Sequence, residues 1–423
     1  MCAQNSKKDK SGLTTLLIYT LMILFGILSG WSDISWLHNV GLFIAEVFIK
    51  IFKCISLPII SLSIIVTLSN YRTDGALRAI WRWAMCYTLG TTLVAAFVSC
   101  VLYIVISPSM VGTIKNNVPA LQSSDFNYFS HLSDLIPASI VTPFLENQVF
   151  GALLLSILFG VAIRFIPDKE ARETVTHCFR GLHGLLMIIT RWIIKIIPLG
   201  MYGFIVMTVT QLRDGMVLKG IGEYLLVIVL ANLLQGFVVL PLWLKANGIK
   251  PFDTMKKMLP ALSLAFFSKS SVGALPVTME SAEKNLNVDP AISRFVLPLC
   301  TSLNMNGCAA FIFATVVYLM QNHGISLSLP MMGVWIMIAT IAAIGNAGVP
   351  MGCFFLSASL LASMNVPIIL MGIILPFYSL IDMLETALNV WSDSCVVKVV
   401  HEKARVRALG AIDNSLDDIL TAP

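Results

Sequence analysis

The side chains with the clearest capacity for chemistry lie in one apolar segment near the C-terminus, about residues 368–400. Its polar residues recur at i, i+3, i+4, i+7 and i+11, and they are Asp382, Glu385, Thr386, Asn389 and Asp393. At about 100° per residue, this spacing places them on one face of a helix. Each carboxylate in a membrane-buried helix costs about 2.5–3.5 kcal/mol on insertion scales. The pattern therefore predicts a stripe that meets a cation, an ammonium group or another helix. A stripe facing a water-filled bundle interior is the alternative.

A second polar motif, Asn304-Met305-Asn306-Gly307, interrupts the apolar segment 292–320. A glycine beside two asparagines predicts local unwinding of a helix, which frees backbone carbonyls. Amide and carbonyl oxygens suit a hard cation such as Na⁺ better than a soft metal. The alternative is that the asparagines only make hydrogen bonds between helices.

Two further apolar segments are interrupted by small and polar residues. The first, 259–290, contains Ser268-Lys-Ser-Ser-Val-Gly-Ala-Leu-Pro276, and the second, 329–367, contains Ile344-Gly-Asn-Ala-Gly-Val-Pro350. Glycine and proline in matching positions of two such segments indicate a transporter site, because irregular backbone is tolerated at membrane depth only along a cavity. We expect each segment to form a re-entrant hairpin. The serines and the half-helix N–H groups of the first tip would suit a carboxylate.

The pair Lys269 and Ser270 also raises the possibility of a Ser–Lys hydrolase inside the membrane. No oxyanion loop or orienting residue accompanies the pair in the sequence. We therefore expect that the protein is not an enzyme.

The elements that must position these motifs are predicted from composition. The chain has 423 residues, of which 57% are hydrophobic and 12% charged, and its mean hydropathy is +0.84. A soluble domain carries about 25% charged residues. The apolar runs are long and continuous, as in a helical membrane protein, whereas a membrane β-barrel would alternate. We expect an all-α polytopic membrane protein in a lipid bilayer. Its net charge of +5 does not indicate nucleic-acid binding, because the basic residues lie at segment ends.

The nine cysteines and six histidines are scattered without the spacing of a metal site. Most cysteines lie in apolar runs. We expect them to be small, buried hydrophobic residues without disulfides.

Basic residues beside the apolar segments predict the orientation in the membrane. Lys7, Lys8 and Lys10 precede the first span and place the N-terminus in the cytoplasm under the positive-inside rule. The polar segment 108–133 is predicted to be an external loop, and the charged tail after His401 to be cytoplasmic. The spans before the first hairpin are expected at about 13–30, 40–68, 83–106, 149–166, 174–197, from 198 onward and 223–244.

Four motifs together resemble those of the sodium:dicarboxylate/amino-acid symporter family, which includes excitatory amino acid transporters and archaeal aspartate transporters. They occur in the order and spacing of that family, and they are Lys269-Ser-Ser-Val-Gly-Ala-Leu-Pro276, Asn304-Met-Asn-Gly307, Gly345-Asn-Ala-Gly-Val-Pro350 and Asp382-x-x-Glu-Thr-x-x-Asn389-x-x-x-Asp393. Asp134-Leu-Ile-Pro137 and Ile197-Pro-Leu-Gly200 also resemble family landmarks, so the similarity covers nearly the whole chain.

The resemblance implies eight transmembrane helices plus two re-entrant hairpins. It also implies a homotrimer in which a transport domain moves against a scaffold as a rigid elevator. Residues 1–257 would be mainly scaffold and trimerisation helices, apart from the third span at about 78–107, which belongs to the transport domain. Residues 258–400 would form the core of the transport domain, and 401–423 a cytoplasmic tail.

The resemblance also implies a role for individual residues. Asp382 would hold the substrate amino group. The other substrate contacts would be Ser270, Ser271, Gly348, Val349, Glu385, Thr386 and Asn389, with Gly348 and Val349 at a gating tip. One sodium site would use Asn304, Asn389, Asp393 and the carbonyl at Cys300. A second would use Ser302 and the carbonyls around Ala343, Ile344 and Asn346. A third would use Tyr87, Thr91 and Asn306.

Two departures from the family pattern refine the expectation. Dicarboxylate-specific members have Arg where this chain has Glu385, and that Arg binds the side-chain carboxylate of the substrate. The run from Glu385 to Asn389 looks like the bacterial serine/threonine:sodium symporters of the family. A hydroxyl substrate could donate to Glu385, and a cationic side chain or a protonated Glu385 would also be compatible. Asn306 stands where the family has Asp, so we expect fewer coupled sodium ions.

Together these features predict a sodium-coupled secondary active symporter of the inner or plasma membrane for small neutral amino acids such as serine and threonine, with no organic cofactor. A glutamate or aspartate symporter coupled to sodium or protons is one alternative. A ligand-gated anion channel on the same fold is the other.

Overall fold

The computed structural model is helical throughout the part of the chain that it describes. That part comprises residues 20–32, 34–69, 78–111, 137, 139–145, 149–213, 219–325, 327–344, 346, 351–364 and 366–420. The helices are α1 (Thr20–Trp31), α2 (Ser35–Ser69), α3 (Arg78–Ile106), α4 (Thr142–Leu145), α5 (Val149–Arg164), α6 (Lys169–Arg213), α7 (Lys219–Leu234), α8 (Leu240–Ala246), α9 (Pro251–Ser268), α10 (Ser271–Asn285), α11 (Pro290–Leu303), α12 (Asn306–Asn322), α13 (Leu329–Ile344), α14 (Gly352–Ser363) and α15 (Ile369–Leu420).

Several predicted features lie outside the described residues. They are the lysines before the first span, most of the loop 108–133 with the Asp134 landmark, and the tip residues Gly345, Gly348 and Val349.

Four stretches in the described part are long and apolar enough to cross a membrane, and they are Ala79–Ile106, Gly220–Ala246, Pro290–Asn322 and Leu370–Arg407. A fifth is added if the bent helix α6 is one span. Shorter apolar helices, including Thr20–Trp31 and Leu154–Arg164, accompany them. Large apolar side chains such as Phe97 and Trp192 are exposed on the outer helices, which suits contact with lipid. These findings agree with a polytopic membrane protein.

The helix α6 differs from the prediction of two separate elements joined at 197–200. It is continuous, with a bend of 52° between Ile193 and Lys195. Pro198 cannot donate to the carbonyl four residues earlier, so the helix bends on the N-terminal side of the proline. The C-terminal helix α15 continues through the charged tail as far as Leu420.

The helix α12 lies at the centre of the fold. Its residues from Asn306 to Met320 are all buried, and it packs against α3, α7, α13, α14 and α15. The first interrupted segment forms two helices, α9 and α10, that pack against each other as a hairpin. Both helices of the second interrupted segment, α13 and α14, pack against α12. The first hairpin packs on α11 and α15, so both interrupted segments are attached to one central group of helices.

A second group of helices contains α2, α5 and α6. Small residues let these helices approach closely: a Cβ on Gly203 would lie 2.7 Å from the carbonyl oxygen of Gly41. This group meets the central one where α14 packs on α2 and α15 packs on α6.

Candidate functional site

The site is built where the break between α11 and α12 meets the polar stripe of α15. The predicted unwinding is present, since α11 ends at Leu303 and α12 begins at Asn306. Asn304 and Met305 have non-helical backbone, with φ/ψ of −93°/75° and −106°/63°. Gly307 allows close contact with α15, because a Cβ there would lie 2.6 Å from the Cα of Glu385. The motif thus places side-chain amides directly against the stripe.

Asp393 is fully buried and is held by two residues of the broken helix. Asn304 Nδ2 donates to Asp393 Oδ1 at 2.9 Å, and Thr301 Oγ1 donates to Oδ2 at 3.3 Å. A buried carboxylate is tolerated only when hydrogen bonds or a cation compensate for lost hydration. Neither of these neutral donors balances the charge of an ionised Asp393, so the group suits a cation.

Asn306 is the centre of a buried amide and hydroxyl network. Its Nδ2 donates to Asn304 Oδ1 at 2.7 Å and to Ser392 Oγ at 3.0 Å. Thr91 of α3 also donates to Asn304 Oδ1, at 2.9 Å. Thr91 therefore joins the Asn304 and Asn306 network, as the resemblance implies. Tyr87 contributes its carbonyl, which accepts from Thr91 Oγ1 at 2.9 Å, while its ring packs on Trp243 and under the ammonium of Lys403.

Gln235 is a member of this network that sequence reasoning missed. It begins a π-helical turn, Gln235–Val239, between α7 and α8. Its Nε2 donates to Asn306 Oδ1 at 2.8 Å and to the Thr91 carbonyl at 3.1 Å. Single π turns inside helices are frequent at functional sites. A glutamine in the middle of a largely apolar span was the signal that could have identified it.

The middle of the α15 stripe packs against α12. Asn389 Oδ1 accepts from the backbone N–H of Gly307 at 2.9 Å. Glu385 is 1% exposed, and Tyr378 donates to its Oε2 at 3.4 Å. Thr386 Oγ1 donates to the carbonyl of Asp382, one turn earlier, at 2.7 Å. The polar residues therefore lie on one face of α15, as predicted, and each of them contacts different neighbours.

The first hairpin tip lies near the start of this stripe. Lys269 has a left-handed backbone with φ of 53°, its ammonium donates to Ser379 Oγ, and its charge interacts with that of Asp382. Ser270 is the N-cap of α10, since its Oγ accepts from Gly273 N–H at 3.0 Å. Ser271 is the first residue of α10 and is half-buried. Lys269 is thus directed toward the stripe.

Among the residues predicted for the second sodium site, Ser302 lies on α11, Ala343 and Ile344 lie on the contacting helix α13, and Asn346 follows that helix. Ser302 Oγ donates to the Pro298 carbonyl at 3.2 Å. The carbonyl of Ala343 accepts from Asn346 N–H at 3.0 Å, and the carbonyl of Cys300, which was predicted for the first site, accepts from Asn304 N–H at 2.7 Å. These carbonyls are therefore engaged within the backbone. Ile344 is the last residue of α13.

The side chain of Asn346 is directed toward two thiols, although only its carbonyl was expected to matter. Its Nδ2 donates to Cys308 Sγ at 3.1 Å and to Cys353 Sγ at 2.9 Å. Cys308 and Cys353 meet Glu385 in one buried group, with their ligand atoms within 4.8 Å of one another. The cysteines show no metal-ligand spacing in the sequence, and this group arises because residues far apart in the chain meet at α12. The expectation of burial was wrong for Cys54, Cys86 and Cys178, which are exposed.

Four buried side-chain oxygens in this region have no hydrogen-bond partner among the described residues, and they are Asn232 Oδ1, Gln235 Oε1, Asn346 Oδ1 and Glu385 Oε1. Buried polar atoms in native proteins are normally satisfied. All four are acceptors, so the group that would satisfy them is a hydrogen-bond donor or a cation. The arrangement can therefore bind metal cations and an ammonium or hydroxyl group.

Comparison with known proteins identifies relatives of the chain. The sequence profile of the sodium:dicarboxylate symporter family matches residues 14–403. The chain is 27% identical to the Caenorhabditis elegans protein glt-4, described as a sodium-dependent excitatory amino acid transporter, over 88% of this chain and 84% of that protein. It is 25% identical to the human neutral amino acid transporter B(0), over 83% of this chain and 71% of that protein. It is 28% identical to the human neutral amino acid transporter A, over 60% of this chain and 48% of that protein.

The match spans nearly the whole chain and includes the broken helix, both interrupted segments and the stripe of α15. It agrees with the apolar helices and leaves no role for a Ser–Lys hydrolase. The protein is a membrane transporter that belongs to the sodium:dicarboxylate symporter family.

Proposed function

We propose that the protein is a secondary active symporter that couples Na⁺ entry to the uptake of a small neutral amino acid such as serine or threonine. Glu385 carries this proposal. It is buried on the stripe, its neighbours are a phenol and two thiols, and its Oε1 lacks a partner within the described residues. A substrate hydroxyl would donate to that oxygen. An acidic side chain would face a carboxylate instead.

The cost of that mismatch is large enough to decide between substrates. Truncating one member of a buried charge pair costs about 2–5 kcal/mol, and reversing its sign should cost at least as much. That range corresponds to a discrimination of about thirtyfold or more. The human relatives named as neutral amino acid transporters agree with this preference.

Sodium coupling is supported by the donor chemistry of the site and by the relative named as sodium-dependent. Oxygen ligands suit hard cations. The carboxylate of Asp393, with the amide oxygens of Asn304 and Asn389, would hold one ion. Ser302 with the carbonyls at Ala343, Ile344 and Asn346 would hold a second. These ions would supply the positive charge that the buried carboxylate requires.

A reduced number of coupled ions is supported by Gln235. Its amide donates to Asn306 Oδ1 and to the Thr91 carbonyl, two oxygens that a third ion would use. Asn306 adds no negative charge to attract an ion. The side-chain amide of Gln235 therefore donates hydrogen bonds to the two oxygens that would otherwise coordinate a third sodium ion.

The proposal includes an elevator mechanism and a homotrimer, and family membership supports both. The group of α2, α5 and α6 would be scaffold, and the group around α12 would move. Asp382 would bind the substrate amino group, with Lys269, Ser270 and Ser271 near its carboxylate. Gly348 and Val349 would form the gate. The protein would reside in the inner or plasma membrane, with both termini in the cytoplasm.

A glutamate or aspartate symporter is the second candidate, because the glt-4 relative is described as an excitatory amino acid transporter. For that function, Glu385 would need to carry a proton and to share it with the acidic side chain of the substrate. Uptake would then be coupled to protons as well as sodium.

The test is uptake of labelled serine, threonine, aspartate and glutamate into proteoliposomes under an inward Na⁺ gradient. Native protein is compared with Glu385→Arg and with the matched neutral variant Glu385→Gln. We expect the native protein to accumulate serine or threonine and the Arg variant to lose this activity. Accumulation of aspartate or glutamate by the native protein would overturn the proposal, and its dependence on a proton gradient would support the second candidate.

A further inference from the structure

Cys308, Cys353 and Glu385 form a compact group of possible metal ligands. Their two Sγ atoms and one carboxylate oxygen all lie within 4.8 Å of one another. The exposed fractions are 4% for Cys308, 1% for Cys353 and 1% for Glu385. The three residues come from three elements: the first turn of α12, the start of α14 and the first third of α15. Both cysteines are free thiols.

Two unpartnered oxygens accompany the group. Glu385 Oε1 is buried without a hydrogen-bond partner among the described residues, and so is Asn346 Oδ1, whose own amide nitrogen contacts both sulfurs. A carboxylate oxygen left in this state is costly. A cation between the sulfurs and Glu385 would satisfy it directly.

We propose that Cys308, Cys353 and Glu385 form a binding site for a thiophilic divalent cation such as Zn²⁺. Two thiolates and one carboxylate are a donor set that Zn²⁺ and Cd²⁺ accept. In a tetrahedral zinc site with Zn–S bonds of about 2.3 Å, two sulfurs are about 3.8 Å apart. Ligand atoms that already lie within 4.8 Å need to close by only about 1 Å to reach that geometry.

Binding has a definite proton balance. Each thiol loses its proton to water as its sulfur binds the metal, and Glu385 binds as the carboxylate. The metal is neither oxidised nor reduced. Affinity therefore rises with pH as long as the thiols are the groups that lose protons.

The bound metal would join three elements. It would fix the start of α14 to α12 and α15. It would also bind the Glu385 oxygen that, in the proposed function, accepts a hydrogen bond from the substrate hydroxyl. This consequence for transport rests on the proposed function, whereas metal binding itself does not. We expect Zn²⁺ or Cd²⁺ to compete with the amino acid and to inhibit its uptake.

The test titrates the full-length protein, purified in detergent under reducing conditions, with Cd²⁺. Binding is followed by the cadmium–thiolate absorption band and by equilibrium dialysis. Native protein is compared with Cys308→Ser, Cys353→Ser and the matched control Cys395→Ser, since Cys395 is also buried but lies outside the group. We expect one ion per chain for the native and control proteins. Each serine variant in the group should bind at least about tenfold more weakly and show a weaker thiolate band.

Absence of stoichiometric binding to the native protein would overturn the proposal, and so would an unchanged thiolate band in both Cys308→Ser and Cys353→Ser. Thermal unfolding of each variant without metal shows whether it is folded, and a Cd²⁺-dependent increase in Tm restricted to native and Cys395→Ser supports the site independently. If Cd²⁺ binds as expected but no amino acid is transported, the proposed function fails while the metal site stands.

Discussion

Asn304 donates its side-chain amide to Asp393 at 2.9 Å, which connects the break between α11 and α12 to the C-terminal part of the α15 stripe. The two residues are 89 positions apart in the chain and both are fully buried. Thr301 binds the other carboxylate oxygen. Both groups that donate to the Asp393 carboxylate are neutral, so a bound cation would be needed to balance its negative charge.

Asp393→Asn should abolish or strongly weaken sodium-dependent uptake. The variant keeps the shape of the side chain and removes the charge that would attract an ion. We expect the sodium concentration for half-maximal uptake to rise by at least about tenfold, equivalent to about 1.4 kcal/mol. The measurement is the Na⁺ dependence of serine uptake in proteoliposomes. The control is Ser394→Ala, because Ser394 is a buried neighbour whose hydroxyl donates to the Val390 carbonyl of its own helix. Similar Na⁺ curves for Asp393→Asn and native protein would contradict the assignment.

Gly307→Ala should disrupt the site through backbone contact. The added Cβ would lie 2.6 Å from Glu385 Cα and 2.9 Å from Asn232 Oδ1, so α12 and α15 would have to separate. We expect loss of uptake together with a lower Tm. Gly333→Ala is the matched control, since no described residue outside its own helix turn lies within 4 Å of the corresponding Cβ. Native uptake by Gly307→Ala would show that the helices can separate without cost to the site.

The number of coupled ions should depend on Gln235 and Asn306. We expect the double change Gln235→Ala and Asn306→Asp to free the Thr91 carbonyl and to add a carboxylate, which together would recruit another ion. The ratio of sodium flux to amino acid flux should therefore exceed that of the native protein, and the Na⁺ dependence should be steeper. Gln235→Ala alone frees the oxygens without adding charge and serves as the comparison. An equal flux ratio in the native and doubly changed proteins would contradict this role of Gln235.

Ser270 should serve both as a helix cap and as a substrate contact, and two substitutions separate these roles. Ser270→Ala should lower stability by about 0.5–2 kcal/mol, because the Gly273 N–H loses its acceptor. Ser270→Gly should lower stability by only a few tenths of a kcal/mol while also lacking the hydroxyl. Thermal unfolding and serine uptake are measured for both variants. Weak uptake by Ser270→Gly at near-native stability is expected, and full uptake would leave capping as the only role of Ser270.

Local sequence was sufficient to predict the helical membrane fold, the break at Asn304–Gly307 and the polar face of α15. Each of these depends on composition or on spacing within about twenty residues, where helix geometry relates sequence distance to position. The prediction failed at α6, where proline bends a helix without ending it. It was also incomplete for Ser270, whose hydroxyl caps α10.

Only the tertiary structure decided which distant segments of the chain contact one another. Gln235 reaches Asn306 across 71 positions, and Cys308 and Cys353 meet Glu385 although neither lies within a recognisable metal motif. These contacts arise because α12 is buried on all sides and brings α3, the π turn, α14 and α15 together. No periodicity along the chain encodes which side chains meet across such a packed centre. The sequence therefore determined the kind of protein and its polar motifs, and the packing around α12 determined which of those side chains can act together.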